Sequence, residues 1–180
     1  MSRLKELYKS KIKNELAKEF DIKNVNAIPQ IKKVVVNAGV GRATQDSKYL
    51  VEAEEALVSI TGQKAVKNVA KKSIAGFKIR EGNAIGVSVT LRNEMAYEFI
   101  DRLVNATLPR IRDFRGIKRT AFDGNGNYSI GIKEHTVFPE MIGKEVNPIS
   151  LQVNIETSAK NNEEALALLR AMGFPFKAEE

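Results

Sequence analysis

Three stretches of this chain alternate in polarity residue by residue, and that period of two constrains the fold more than any other feature. In Gly86 to Arg92, Val87, Val89 and Leu91 face one way while Ser88, Thr90 and Arg92 face the other. Leu151, Val153 and Ile155 oppose Gln152, Asn154 and Glu156 in the same manner, and Tyr128, Ile130 and Ile132 oppose Ser129, Gly131 and Lys133. A strand patterned this way buries one side and leaves the other wet. Lys32 to Ala38 is more apolar and suits the centre of a sheet.

Between these strands the apolar spacing becomes helical. Leu4, Leu7, Tyr8, Ile12, Leu16 and Phe20 form an amphipathic stripe from Arg3 to Phe20, with Lys5, Lys9, Lys11, Lys13 and Lys18 on the other face. A second helix is expected from about Ser47 to Ile60, capped by Asp46 or Ser47 and followed by Gly62. A third should run from about Asn93 to Leu108 and stop at Pro109, and the last from near Asn162 to Gly173. Strands and helices together predict an α+β architecture: a largely antiparallel sheet with helices on one face and a polar face left open. With 180 residues, no internal repeat and no Pro-, Gly- or Ser-rich linker, one unit spanning residues 1–180 is the expectation.

Charge supplies the first functional clue. The net charge is +7, but residues 1–59, 60–120 and 121–180 contribute +3, +8 and −4. So localised a basic surface favours a polyanionic partner, whereas evenly scattered lysines would describe only a solvated face. Within Ile60 to Gly82, ITGQKAVKNVAKKSIAGFKIREG, a short strand from Lys64 to Val69 leads into an extended loop. There Lys71, Lys72, Lys78 and Arg80 surround the lone aromatic Phe77. Cations there displace counterions from phosphates and an aromatic stacks on a base or ribose. The competing reading tucks Phe77 and Ile79 under the loop as a satellite core. A second basic run, LPRIRDFRGIKR, carries Arg110, Arg112, Arg115, Lys118 and Arg119, whose planar guanidinium groups suit phosphate or an acidic protein neighbour.

Several chemistries are excluded or poorly supported. Without cysteine there is no disulfide, thiolate metal site or cysteine nucleophile. The single histidine, His135, has Glu134 and Glu140 nearby but no partner at a recognisable catalytic spacing. FDGNGNY at 122–128 lacks the downstream Glu of a calcium loop and reads as a glycine-rich hairpin. NAGVGRA lacks the third glycine and the Lys–Ser/Thr pair of a nucleotide loop. The N-terminus has no signal-peptide stretch and no run is long enough to span a bilayer, so a cytoplasmic protein without membrane contact is expected.

The longer motifs add a resemblance. KKVVVNAGVG at 32–41, ITGQK and AKKSIAGFKIREG within 60–82, VTLR at 89–92, LPRIRDFRG at 108–116, FDGNGNYSIGIKEHTVFPE at 122–140 and MGFPF at 172–176 occur in order along the chain. Together they closely resemble the bacterial large-subunit ribosomal protein family called "L five". The resemblance implies a curved sheet whose open face holds 5S ribosomal RNA in the central protuberance, with no enzymatic activity, cofactor or metal. It implies hydrogen bonds to 5S RNA from Asn37, Gln63 and Thr90, with Lys33, Lys64, Lys67 and Arg92 as accompanying cations. The basic loop, through Lys71, Lys72, Ser73, Phe77, Lys78 and Arg80, would reach the transfer RNA in the peptidyl site. Contacts to 23S RNA and a bridge to a head protein of the small subunit are also implied. Arg110, Arg112, Arg115 and the acidic final third are candidates for the bridge. Two other classes stay open on sequence alone: an enzyme using His135, and a free RNA-binding regulator outside the ribosome.

Overall fold

The computed structural model describes residues 2–41, 47–143 and 147–177. Its first helix begins as α1 (Arg3–Leu7), widens into a π turn at Tyr8–Ile12 and resumes as α2 (Lys13–Glu19). Leu4, Tyr8, Ile12 and Leu16 are its buried apolar positions, spaced by four. In a regular α-helix such spacing drifts by about 40° per step. The wider π turn takes up that drift and keeps all four on one side. Leu7, expected in the stripe, falls outside it and is exposed.

The strands are β1 (Ile31–Gly39), β2 (Val66–Val69), β3 (Ala84–Arg92), β4 (Tyr128–Ile132) and β5 (Leu151–Thr157). They form one antiparallel sheet in the order β2-β3-β1-β5-β4, so the most apolar strand is central, as its sequence requires. Burial follows the alternation: Val34, Val36 and Ala38, then Val87, Val89 and Leu91, then Leu151, Val153 and Ile155 are all buried. Their polar neighbours line the open face.

Helix α3 (Lys48–Thr61) ends at Gly62, whose φ of 70° suits a residue without a Cβ and whose N–H bonds to the Val58 carbonyl at 2.8 Å. Of its expected caps, Ser47 makes no side-chain capping bond and Asp46 lies outside the described residues. Helix α4 (Asn93–Arg102) continues through a π turn at Leu103–Thr107 into a 3₁₀ turn at Leu108–Arg110. Pro109 therefore does not stop the helical path at Leu108. It occupies the start of the last turn, where its missing N–H leaves no bond unmade. Helix α5 (Asn162–Ala171) is capped by the side chain of Asn161, which accepts from the Glu164 N–H at 2.9 Å.

The chain divides into two compact units, and β1, β3, β4 and β5 contribute residues to both. One comprises Met1–Val34, Leu91–Ile130 and Asn154–Glu180. In it α1 packs against α4, Arg3 pairs with Asp101 at 2.7 Å, and the Tyr8 hydroxyl donates to the Pro29 carbonyl at 2.8 Å. The rings of Phe122, Tyr128 and Phe176 form a small aromatic cluster. The FDGNGNY segment is the hairpin its sequence suggests: Phe122 bridges Tyr128, and the Asp123 carboxylate accepts from Asn125 and Asn127. The other unit comprises Val35–Thr90 and Gly131–Val153 and holds α3, β2 and the basic loop.

Candidate nucleic-acid interface

In register, Asn68 on the edge strand β2 stands opposite Gly86 on β3, and Val66 stands opposite Ser88. Residues so paired share a face, and here it is the open one. The Asn68 side-chain amide donates to Oδ1 of Asn37 on β1 at 3.4 Å, and its own Oδ1 accepts from the Ser88 hydroxyl at 3.3 Å. Asn68 therefore reaches past β3 to the strand beyond it. Gly86 makes that crossing close: a Cβ there would lie 2.9 Å from the Ala38 carbonyl oxygen. With Oδ1 of Asn37 occupied, its amide nitrogen is left as a donor for an acceptor above the sheet.

Gln63 and Thr90 also come together. The Gln63 amide donates to the Thr90 backbone carbonyl at 3.2 Å, which ties a long side chain to β3 at that residue. Of the three polar residues singled out from sequence, Asn37 and Thr90 thus lie on the open side of β1 and β3, while Gln63, in the turn between α3 and β2, reaches the backbone of β3 at Thr90. Asn68 was not among them. Its signal was slight: one amide in a four-residue strand, sharing the parity of Val66.

The accompanying cations divide. Lys64 and Arg92 are exposed and form no ion pair among the described residues. Lys67 stands opposite Val87, hence on the helix-bearing side, and pairs with Glu54 of α3 at 3.0 Å. Alternation places it there, so its ammonium lies away from the open face that carries Asn68. In the other unit, Lys33 pairs across strands with Glu156 of β5 at 2.8 Å, and Ser129 donates to Asn154 at 2.9 Å.

The basic loop has more structure than its sequence suggests. Beyond β2 it continues as a hairpin: Ala70 bonds to both Gly82 and Asn83, the Glu81 N–H donates to the Ser73 hydroxyl at 2.9 Å, and Ile74 and Ile79 exchange backbone bonds at 2.9 and 3.1 Å. A 3₁₀ turn at Ala75–Phe77 forms the tip, and Lys78 follows in a left-handed conformation with φ of 55°. Phe77 is 71% exposed, so it is not a satellite core residue. Lys71, Lys72, Lys78 and Arg80 are all exposed and make no ion pair among the described residues. A braced arm therefore presents four cations and a bare aromatic ring.

Arg110, Arg112 and Arg115 are likewise exposed and without ion pairs among the described residues. Their loop is pinned by Ile117, which donates to the Pro175 carbonyl at 2.8 Å and accepts from Lys177 at 3.1 Å. His135 is fully buried. Its Nδ1 accepts from the Ile149 N–H at 3.2 Å, and burial, the largest influence on it, lowers its pKa below the ordinary value. A histidine sealed from solvent and engaged with backbone has no access to substrate, which removes the acid–base alternative.

Two family models divide the chain between them. Ribosomal protein L5 matches residues 24–80, and the C-terminal model of the same ribosomal family matches residues 84–176. The chain belongs to the ribosomal protein L5 family. It is 53% identical over 178 residues to large ribosomal subunit protein uL5 of Geobacter sulfurreducens, an alignment covering 98% of this chain and 99% of that protein. The uL5 proteins of Trichlorobacter lovleyi and Synechocystis are 53% and 51% identical, over 98% of this chain and 99% and 98% of theirs. L5 proteins are structural and non-catalytic components of the ribosome.

Proposed function

We propose that this protein is a structural constituent of the large subunit of the cytoplasmic ribosome that holds 5S ribosomal RNA against the open side of β1 and β3. The amide cluster carries this reading: Asn37, Asn68 and Ser88, on β1, β2 and β3, are linked at 3.3–3.4 Å, and Gln63, just before β2, bonds to the Thr90 carbonyl of β3 at 3.2 Å. Fixed amides and hydroxyls match the 2′-hydroxyls, phosphates and base edges of RNA, which distinguish one folded RNA from another. Lys64, adjacent to Gln63 in the chain, and Arg92, two residues after Thr90, add charge.

The braced hairpin is the arm that reaches the transfer RNA in the peptidyl site. Phe77 packs on a ribose or base, and Lys71, Lys72, Lys78 and Arg80 meet phosphates, with Ser73 holding the arm's two sides together. Arg110, Arg112 and Arg115 serve 23S RNA or the small-subunit head protein, where exposed guanidinium groups meet phosphate or carboxylate. Neither role requires a cofactor or metal.

Alanine at Asn37, Gln63 or Thr90 tests the first assignment. Each substitution should weaken 5S RNA binding, and unchanged affinity in all three would reject it. Co-sedimentation of the protein with large subunits after a high-salt wash tests the ribosomal role, since a free regulator held only by charge would wash off.

A further inference from the structure

A carboxylate on a face that meets a polyanion calls for a reason. Glu156 alternates with the buried Ile155 and Thr157, so it stands on the open side of β5 with Asn154 and Gln152. Lys33 stands on the open side of β1, four residues before Asn37 and in phase with it. The two meet at 2.8 Å with side chains 34% and 39% exposed, so neither is sealed from a ligand. Neighbouring acceptors do not repeat the arrangement: Asn154, two residues earlier on β5, takes the Ser129 hydroxyl and carries no charge.

We propose that Glu156 is a specificity-determining residue for RNA, acting through Lys33. The inference rests on the 5S RNA reading given above. An ammonium group has three donors, and Glu156 engages one while cancelling the net charge. Lys33 is then a held, directional donor with two N–H bonds to offer. It is no longer a free point charge that attracts any phosphate. A folded RNA placing acceptors at the right positions keeps the directional bonds. An arbitrary RNA meets a locally neutral patch and gains nothing from counterion release there. The carboxylate thus suppresses non-specific binding more than specific binding, which is discrimination built by weakening the wrong partner. It leaves the basic hairpin as the site where unselective charge acts.

The test is equilibrium binding of the full chain to 5S RNA and to a length-matched unrelated RNA across a salt series. The proteins compared are the unmodified one, Glu156→Gln, Lys33→Ala and the double variant. Glutamine keeps the shape and an acceptor while removing the charge. For the unrelated RNA, Glu156→Gln should raise affinity roughly fivefold at 0.1 M salt and steepen the log–log salt slope by about 0.7–0.9, the increment for one added phosphate contact. For 5S RNA the affinity should change less than about twofold, so the preference falls. In the Lys33→Ala background the same substitution should change the unrelated-RNA slope far less, because the cation it releases is gone. A merely structural role for Glu156 would move stability and leave that slope in place. Equal changes on both RNAs, or an effect that persists without Lys33, would overturn the inference while leaving the 5S reading intact. An unmodified protein with no preference for 5S RNA would instead overturn the reading on which it rests.

Discussion

Asn68 and Asn37 meet amide to amide at 3.4 Å although β3 runs between their strands, and the opposite end of Asn68 is held by Ser88 of that intervening strand. The link reaches across two strand spacings because the position facing Asn68 on β3 is Gly86, which puts no side chain in the way. Asn37 is therefore pre-oriented, and the residue that orients it sits on the sheet edge.

Asn68→Ala should accordingly weaken 5S RNA binding even without direct contact between Asn68 and RNA. A loss of about 1 kcal/mol, or roughly fivefold in affinity, is the expected scale for one such hydrogen bond. In the Asn37→Ala background the same change should cost much less, because the group being oriented has been removed. Additive losses in that cycle would show that the two amides act independently. Thermal unfolding should barely move, since Asn68 is only half-buried on a short edge strand.

Gly86→Ala should behave in the opposite way, losing fold stability first. The new Cβ would lie 2.9 Å from the Ala38 carbonyl oxygen, and backbone cannot swing aside as a side-chain tip can. A destabilisation of about 1–3 kcal/mol, typical of overpacking, is expected from urea unfolding. An unchanged midpoint would show that β1 and β3 can separate at no cost.

On the hairpin, Phe77→Ala, Lys78→Ala and Arg80→Ala should leave both the melting temperature and 5S RNA affinity near those of the unmodified protein. The ring is 71% exposed and the cations make no ion pair among the described residues, so no folded-state contact is lost. The same variants should weaken transfer-RNA binding in assembled ribosomes, with stacking on Phe77 worth about 1–3 kcal/mol. Loss of 5S RNA affinity would contradict this division of labour.

His135 should give the fold a pH dependence of defined sign. Burial lowers its pKa in the folded state, whereas the unfolded chain titrates near the ordinary value of about 6.5. The unfolded state therefore binds more protons as the solution is acidified, and stability falls as pH drops through 6.5 towards the folded-state value. Above 6.5 the contribution is complete. Urea midpoints between pH 7.5 and 5.5 should decline for the unmodified protein and flatten in His135→Gln. Because His135 is the one histidine in the chain, its titration can be followed by NMR without assignment.

The sheet was legible because each of its longer strands wets one side. Val87, Val89 and Leu91 or Leu151, Val153 and Ile155 fix both the period and the buried face. The α3 stop at Gly62 and the hairpin at Phe122–Tyr128 were readable from local turn chemistry. The π turn at Tyr8–Ile12 was not, because the run of apolar residues at three- and four-residue spacings does not reveal which of them the tertiary core will select. At the site, residue types were visible but partners were not. Lys33, Lys64, Lys67 and Arg92 look alike as cations in a string of letters. Strand parity and long-range pairing then turn Lys67 towards Glu54 and tie Lys33 to Glu156, 123 positions away, while Lys64 and Arg92 make no ion pair among the described residues. The bracing of the hairpin by Ser73 and the Ile74–Ile79 bridge was equally hidden, since neither pair follows an alternating pattern.

The most direct test of the central claim compares binding of the full chain to 5S RNA and to a length-matched unrelated RNA from low to high salt. If amides and hydroxyls on the open sheet face do the recognising, preference for 5S RNA should persist, and widen, as salt removes the phosphate contribution common to both. Equal affinities that vanish together with rising salt would contradict it, leaving a protein that binds RNA through charge alone.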